Sequence, residues 1–234
     1  MRTSLILAAL LAAVASPASA ASRNFGVSGF TKIRVDGPYK VNLTTGIAPF
    51  AKATGSSAAL DRVAIDVRGD TLVVHPGTGS WGGYPGQDAG PVQIDIGVHE
   101  LSNAWVNGAG SLSISGVRGL SFALSVQGAG GAEIGTVDVD QMNVGLVGSA
   151  NAKLGGKTKK LTALVRGIST LNAGELQAND ATVGAEGAAT VDANVTNSVK
   201  VDATGNATIR FAGRPSCTLK VAGSTTVSGC KSAN

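Results

Sequence analysis

The chain has 234 residues, a formal net charge of +4, 33 glycines, 4% aromatic and 15% charged residues. A basic excess this small and this dispersed argues against a nucleic-acid partner. With so few aromatics there is no wide core of large side chains, only a narrow one that Ala, Val, Leu and Ile can fill.

The chain begins "MRTSLILAALLAAVASPASA". Arg2 supplies a positive start, residues 5–14 an apolar run too short to span a bilayer, and Ala18-Ser19-Ala20 a small-x-small cleavage site. We read residues 1–20 as a secretory signal peptide, cleaved near Ala20, with a periplasmic or secreted mature chain. No cysteine marks a lipid anchor at the cleavage point, and no later apolar run is long enough to cross a membrane. Residues 21–234 read as a single all-β domain.

Residues 25–100 alternate apolar and polar positions in "FTKIRVDG", "YKVNLTTG", "DRVAIDVRGD", "TLVVHP" and "PVQIDIGV", each ended by turn residues. They read as irregular first coils of a solenoid. The Gly/Pro-rich run "HPGTGSWGGYPGQDAGP" is a loop inserted between two of these strands, and it carries Trp81 and Tyr84.

From residue 101 to 230 the chain is periodic. Gly108, Gly128, Gly148, Gly167, Gly187, Gly205 and Gly223 recur at spacings of 20, 20, 19, 20, 18 and 18. Two residues before each glycine stand Val106, Val126, Leu146, Val165, Ala185, Ala203 and Val221, and the other even offsets are apolar or small as well. The odd offsets are mostly polar: three after the glycine come Thr170, Thr190, Thr208 and Thr226, and five after come Glu133, Lys153, Asp192 and Arg210. Alternation of period two on both sides of a fixed 20-residue interval predicts a parallel β-solenoid, with two half-buried strands per coil and like residues stacked in ladders. The repeated glycines are expected to turn corners, and the pairs Glu133–Lys153 and Asp192–Arg210 to meet across rungs.

Cys217 and Cys230 are an even pair, close in sequence, in a chain expected in an oxidising compartment. They read as a disulfide that staples the last coil. Their spacing suits neither a metal site nor a CxxC redox pair.

At these residues the chain resembles the DUF2807 family, the autotransporter adhesin head GIN domain. The likeness is carried by "FTKIRVDGPYKVNLTTG", by "VRGDTLVV" and by the closing rungs "GNATIRFAGRPSCTLKVAGS", and it covers residues 25–229. The resemblance implies a right-handed, two-sheet β-solenoid in a cell-envelope protein of adhesive role, with no agreed catalytic residues. The literal tripeptide GIN is absent; "GIS" begins at Gly167 and "GNA" at Gly205.

Motifs for chemistry are sparse. "GGKT" at residues 155–158 has Asn151 where a P-loop needs Gly, and "GAGG" is followed by Glu133 where a dinucleotide fingerprint needs its last Gly. "KTKK" at residues 157–160 reads as a solvated corner. His75 and His99 read as strand-end residues, and no cofactor is called for. Two readings of function remain. One is a non-catalytic module that binds a glycan or a cell-surface protein, or serves a structural role. The alternative is a polysaccharide lyase or hydrolase, which needs clustered carboxylates beside Trp105; Asp138, Asp140, Asp180 and Asp192 do not share a column. Trp105 with Trp81 and Tyr84 could form an aromatic platform for a sugar, or the loop could fold over Trp105 and bury it. The threonine ladder could meet a glycan, or simply suit an outward strand.

Overall fold

The computed structural model describes residues 21–77 and 90–231. The expected leader, Trp81 and Tyr84 lie outside the described residues. The chain order is β1 (Ala21–Phe25), β2 (Lys32–Asp36), β3 (Lys40–Thr45), β4 (Phe50–Gly55), α1 (Ser57–Leu60), β5 (Val63–Arg68), β6 (Thr71–Pro76), β7 (Gln93–Val98) and β8 (Asn103–Gly108), followed by the long strands β9 (Ser111–Gly128), β10 (Gly131–Gly148), β11 (Asn151–Gly167), β12 (Thr170–Gly187) and β13 (Thr190–Gly205), then β14 (Thr208–Ala212), β15 (Ser216–Gly223) and β16 (Thr226–Ser228). The result is a β-solenoid of about six turns, roughly 20 residues apart.

Each long strand stacks in parallel on the next, and the sequence columns become ladders. Val126, Leu146, Val165, Ala185, Ala203 and Val221 are consecutive partners. The first five are at most 1% exposed, whereas Val221 is 41% exposed and its neighbour Leu219 49%. Each buried Val or Leu contributes about 1.5–3 kcal/mol, too little for one coil to fold alone, so stability is shared between rungs. The final coil has a neighbour on one side only, and its inward residues meet solvent. The Cys217–Cys230 disulfide (Cα–Cα 5.7 Å) ties β15 to the second residue past β16 at that end.

The corner glycines carry the turn between rungs. All seven have φ between 84° and 103°, a region closed to most L side chains. Space is closed as well. A Cβ on Gly148 would lie 2.8 Å from the Gly128 carbonyl, and the later corner glycines repeat this approach to the glycine one rung back. That carbonyl is occupied: Gly128 O accepts the Ser149 N–H at 2.8 Å, as Gly108 O accepts Ala129 and Gly148 O accepts Ile168. Two residues on, the column of Gly130, Ala150, Ser169, Ala189 and Ala207 is buried. Ser169 is tolerated there because its hydroxyl lies within 3.2 Å of Gly148 O, Arg166 O and the Ala150 amide.

Between the two inward runs that the columns reveal lies a further short inward segment. Val117, Val137, Val139, Leu176, Ala178 and Val195 are buried although they stand at odd or shifted offsets from the glycine. The pairing register slips in the same place, between Ile134 and Val137, Lys153 and Gly155, and Ala173 and Asp180. The coil therefore absorbs its changes of length at these bends and keeps the glycine corner constant.

The N-terminal strands form two kinds of structure. β2, β3, β7 and β8 stack in parallel as first coils: β3 pairs with β7 and β9, and β8 with β2 and β9. β1, β4 and β5 run antiparallel, β1 on β4, β4 on β7, and β5 on β6. They cover the first coil and pair its edge with strands of opposite direction, which blunts a template for further stacking. The one-turn α1, capped by the Ser56 hydroxyl, buries Ala59 and Leu60 beside them.

Two outcomes follow for stability. Gly148→Ala should lower unfolding stability by more than about 2 kcal/mol, since both φ and the facing carbonyl oppose a Cβ. Gly145→Ala, whose Cβ would meet only Ser125 Oγ at 3.9 Å, should stay within about 0.5 kcal/mol; urea midpoints of the two variants give the comparison. Replacing both cysteines by serine should cost about 2–4 kcal/mol and speed hydrogen exchange in β15 and β16 while leaving β9 to β11 unchanged.

Candidate functional site

Trp105 stands at an outward position of β8, between Arg34 of β2 and Ser125 of β9 in the ladder. Its side chain is half-buried. The column it begins continues as Ser125, Gly145, Leu164 and Gly184. Small residues at the second and third rungs leave a shallow trough of about 210 Å³ between Trp105 and Leu164. Ala123, Asn143 and Thr162 form the neighbouring column of the same trough. Leu164 leans the other way, over Gly184, where a Cβ would meet its Cδ1 at 2.9 Å. The trough contains no ionisable side chain, so the convergent carboxylates that a sugar-cleaving enzyme needs beside Trp105 are not among its lining residues.

The carboxylates singled out from the sequence stand apart, each with its own partner. Asp138 lies 3.5 Å from Lys157 and Asp140 2.9 Å from Lys159. Asp192 lies 3.6 Å from Arg210. Asp180 accepts hydrogen bonds from the Ser198 hydroxyl and the Asn197 amide, and these contacts, Ser198 foremost, hold its carboxyl below the usual range. Glu133 faces Lys153 at 3.9 Å, and Lys153 also reaches Glu175 at 3.4 Å. His75 sits 2.8 Å from Asp66, its near neighbour across the β5–β6 hairpin, and His99 directly follows β7. These pairs are exposed and worth about 0–1 kcal/mol each.

Thr170, Thr190, Thr208 and Thr226 are consecutive partners on β12, β13, β14 and β16. Thr190 and Thr208 are half-buried and the outer two exposed. The four hydroxyls form one outward row beside the Asp192–Arg210 pair.

A second concavity could not be read from the columns. A cleft of about 590 Å³ opens where the first regular coil leaves the strands before it. Pairing of β3 with β9 ends at Leu43 and Ile114, and pairing of β8 with β9 begins at Asn103 and Ala123. On that edge, among the described residues, no strand pairs with residues 115–122. The gap is bridged by Thr45, whose hydroxyl donates to Gly116 O at 2.7 Å and whose N–H donates to Ser115 Oγ. His99, Glu100 and Arg118 line the cleft and are exposed. The only sequence signal for it is that His99-Glu100 interrupts the alternation between β7 and β8.

Among the described residues no group of three His, Cys, Asp or Glu is placed to hold a metal ion, and no helix is long and apolar enough to cross a membrane. No curated protein matches the chain in sequence. In structure it is similar to a "putative adhesin" of Bacteroides fragilis NCTC 9343, with a TM-score of 0.78, 19% identity, and 90% of this chain and 96% of that one covered. It is also similar to a "putative lipid binding protein" of Parabacteroides distasonis ATCC 8503, with a TM-score of 0.69, 19% identity and coverage of 90% and 96%. A third, a "putative adhesin" of Parabacteroides merdae ATCC 43184, has a TM-score of 0.63, 16% identity and coverage of 90% and 95%. At these identities the likeness establishes the fold. The family model described as "Putative auto-transporter adhesin, head GIN domain" matches residues 29–215, and the chain belongs to that family, DUF2807.

Proposed function

We propose that the mature chain, residues 21–234, is a non-catalytic module of the cell envelope, periplasmic or secreted, that binds a glycan or a cell-surface protein across the outer face of its solenoid. The observation that carries this reading is the trough at Trp105: flat, uncharged, floored by Ser125 and Gly145, and bounded by an indole and Leu164. An aromatic ring beside small residues suits the apolar face of a sugar ring. Trp81 and Tyr84, outside the described residues, join the proposed platform on the sequence alone. The row of Thr170, Thr190, Thr208 and Thr226 offers hydroxyls at the strand spacing, about 4.8 Å, to the same extended ligand class. The family description supports an adhesive role, and the disulfide suits an oxidising compartment. No cofactor enters this reading.

Glycan-array binding of the wild type against Trp105→Ala tests it. Loss of an indole at the centre of a binding face should cost about 2 kcal/mol, roughly 30-fold in affinity, and equal binding by the two proteins would discard the platform. Mass spectrometry of cell fractions should find the mature N-terminus at Ala21 in the periplasm or medium. Recovery of the intact chain from the cytosol would contradict the envelope placement.

A further inference from the structure

The cleft at the start of the regular coils holds the one carboxylate among the described residues that has no partner. Among the described residues every other carboxylate has an ion-pair or hydrogen-bond partner. Asp36, Asp61, Asp66, Asp70, Glu133, Asp138, Asp140, Glu175, Glu186, Asp192 and Asp202 face cations, and Asp95 and Asp180 accept from amides or a hydroxyl. Glu100 alone has none. Arg118, like several other cations, has no ion pair among the described residues; Asp138, its neighbour one rung on, is engaged by Lys157. These two unmatched charges line the same cleft, of about 590 Å³, together with exposed His99.

The cleft and the trough are lined by neighbouring parts of the same two chain segments. Leu101 and Gly119 line the cleft; Trp105 and Ala123, each four residues further along the same two chain segments, line the trough. Four residues span at most about 13 Å even when fully extended, and the chain bends at Gly119 (φ 135°), so one oligosaccharide is long enough to reach both. We propose that this cleft holds the carboxylate-bearing unit of an acidic, uronate-type oligosaccharide whose next units lie on Trp105. The Arg118 guanidinium is a planar fork that matches a carboxylate in two parallel hydrogen bonds. Glu100 accepts from hydroxyls of the same sugar, and the Thr136 and Ser115 side chains add further polar contacts at the wall. A phosphate would bring two charges against Glu100. A peptide terminus would satisfy both charges but gives no reason for the adjoining uncharged trough.

The inference rests on the ligand-binding reading above and deepens it. The test is calorimetric titration of the mature protein with a hexasaccharide of alternating glucuronate and N-acetylglucosamine, and with the same hexasaccharide after carboxyl reduction. The wild type should bind the acidic form at least tenfold more tightly, with a preference that shrinks as salt rises. Arg118→Ala and Glu100→Gln should both weaken the acidic ligand, and Arg118→Ala should erase the preference. Trp105→Ala should weaken both ligands and keep it. Both cleft residues are exposed, so thermal melts should match the wild type. Equal affinity for the two forms, or a preference that survives Arg118→Ala, would overturn the acidic-sugar assignment while Trp105-dependent binding kept the broader reading. Binding of neither sugar would overturn the acidic-sugar assignment together with the sugar platform at Trp105. Binding of glycylglycine that Arg118→Ala abolishes, in place of the acidic sugar, would reassign the cleft to a peptide terminus.

Discussion

The fold hangs on one repeated contact: the carbonyl of a corner glycine accepts the N–H that follows the next corner glycine. Gly108 binds Ala129, Gly128 binds Ser149, Gly148 binds Ile168 and Gly187 binds Asn206. The bond brings successive corners so close that a Cβ on the later glycine of each pair would meet the earlier one's carbonyl oxygen, as at 2.8 Å for Gly148 against Gly128. Once the corners are aligned, every strand leaves its corner in the same register. The inward columns then stack apolar on apolar, and the outward columns stack threonine on threonine and acid on base. The core is narrow because few large side chains are available, and it works because each coil borrows half its burial from its neighbours.

A stack of this kind has two ends, and they are built differently. The first coil is covered by the antiparallel strands β1, β4 and β5. The last coil leaves Leu219 and Val221 half exposed and is held by a disulfide. A covalent staple there substitutes for the packing that a further rung would supply.

The periodic part of the molecule was legible because its physics is periodic. Inward residues at even offsets from Gly128 or Gly148, and the facing of Glu133 with Lys153, follow from a two-residue alternation and a fixed interval. Other parts were not legible, for stated reasons. Val117, Val137 and Leu176 are buried at offsets where the alternation slips through a bend, and a column count assigns those offsets outward. β4, FAKATG, buries only Ala51 and Ala53 and has no long apolar residue to announce its buried face. The cleft of His99, Glu100 and Arg118 depends on where the pairing of β3 stops and that of β8 starts, a difference of a few residues between strands 60 or more apart in sequence. Trp105, by contrast, was visible as an aromatic at an outward offset, and the small residues that extend it into a trough, Ser125 and Gly145, stand in its own column.

Function in this architecture belongs to the outer columns and to the places where a coil is interrupted, since the inward columns are fully used in packing. The corner bond is what fixes both, so it is the claim to test most directly. Native-state hydrogen exchange reads it residue by residue. Ser149 and Ile168 are exposed to solvent, yet their amides should exchange as slowly as those of buried Val144 and Leu146, because they belong to the same cooperative stack. Exchange of Ser149 and Ile168 at the rate of an open loop, with Val144 and Leu146 still protected, would show that the corners follow the strands and do not set them.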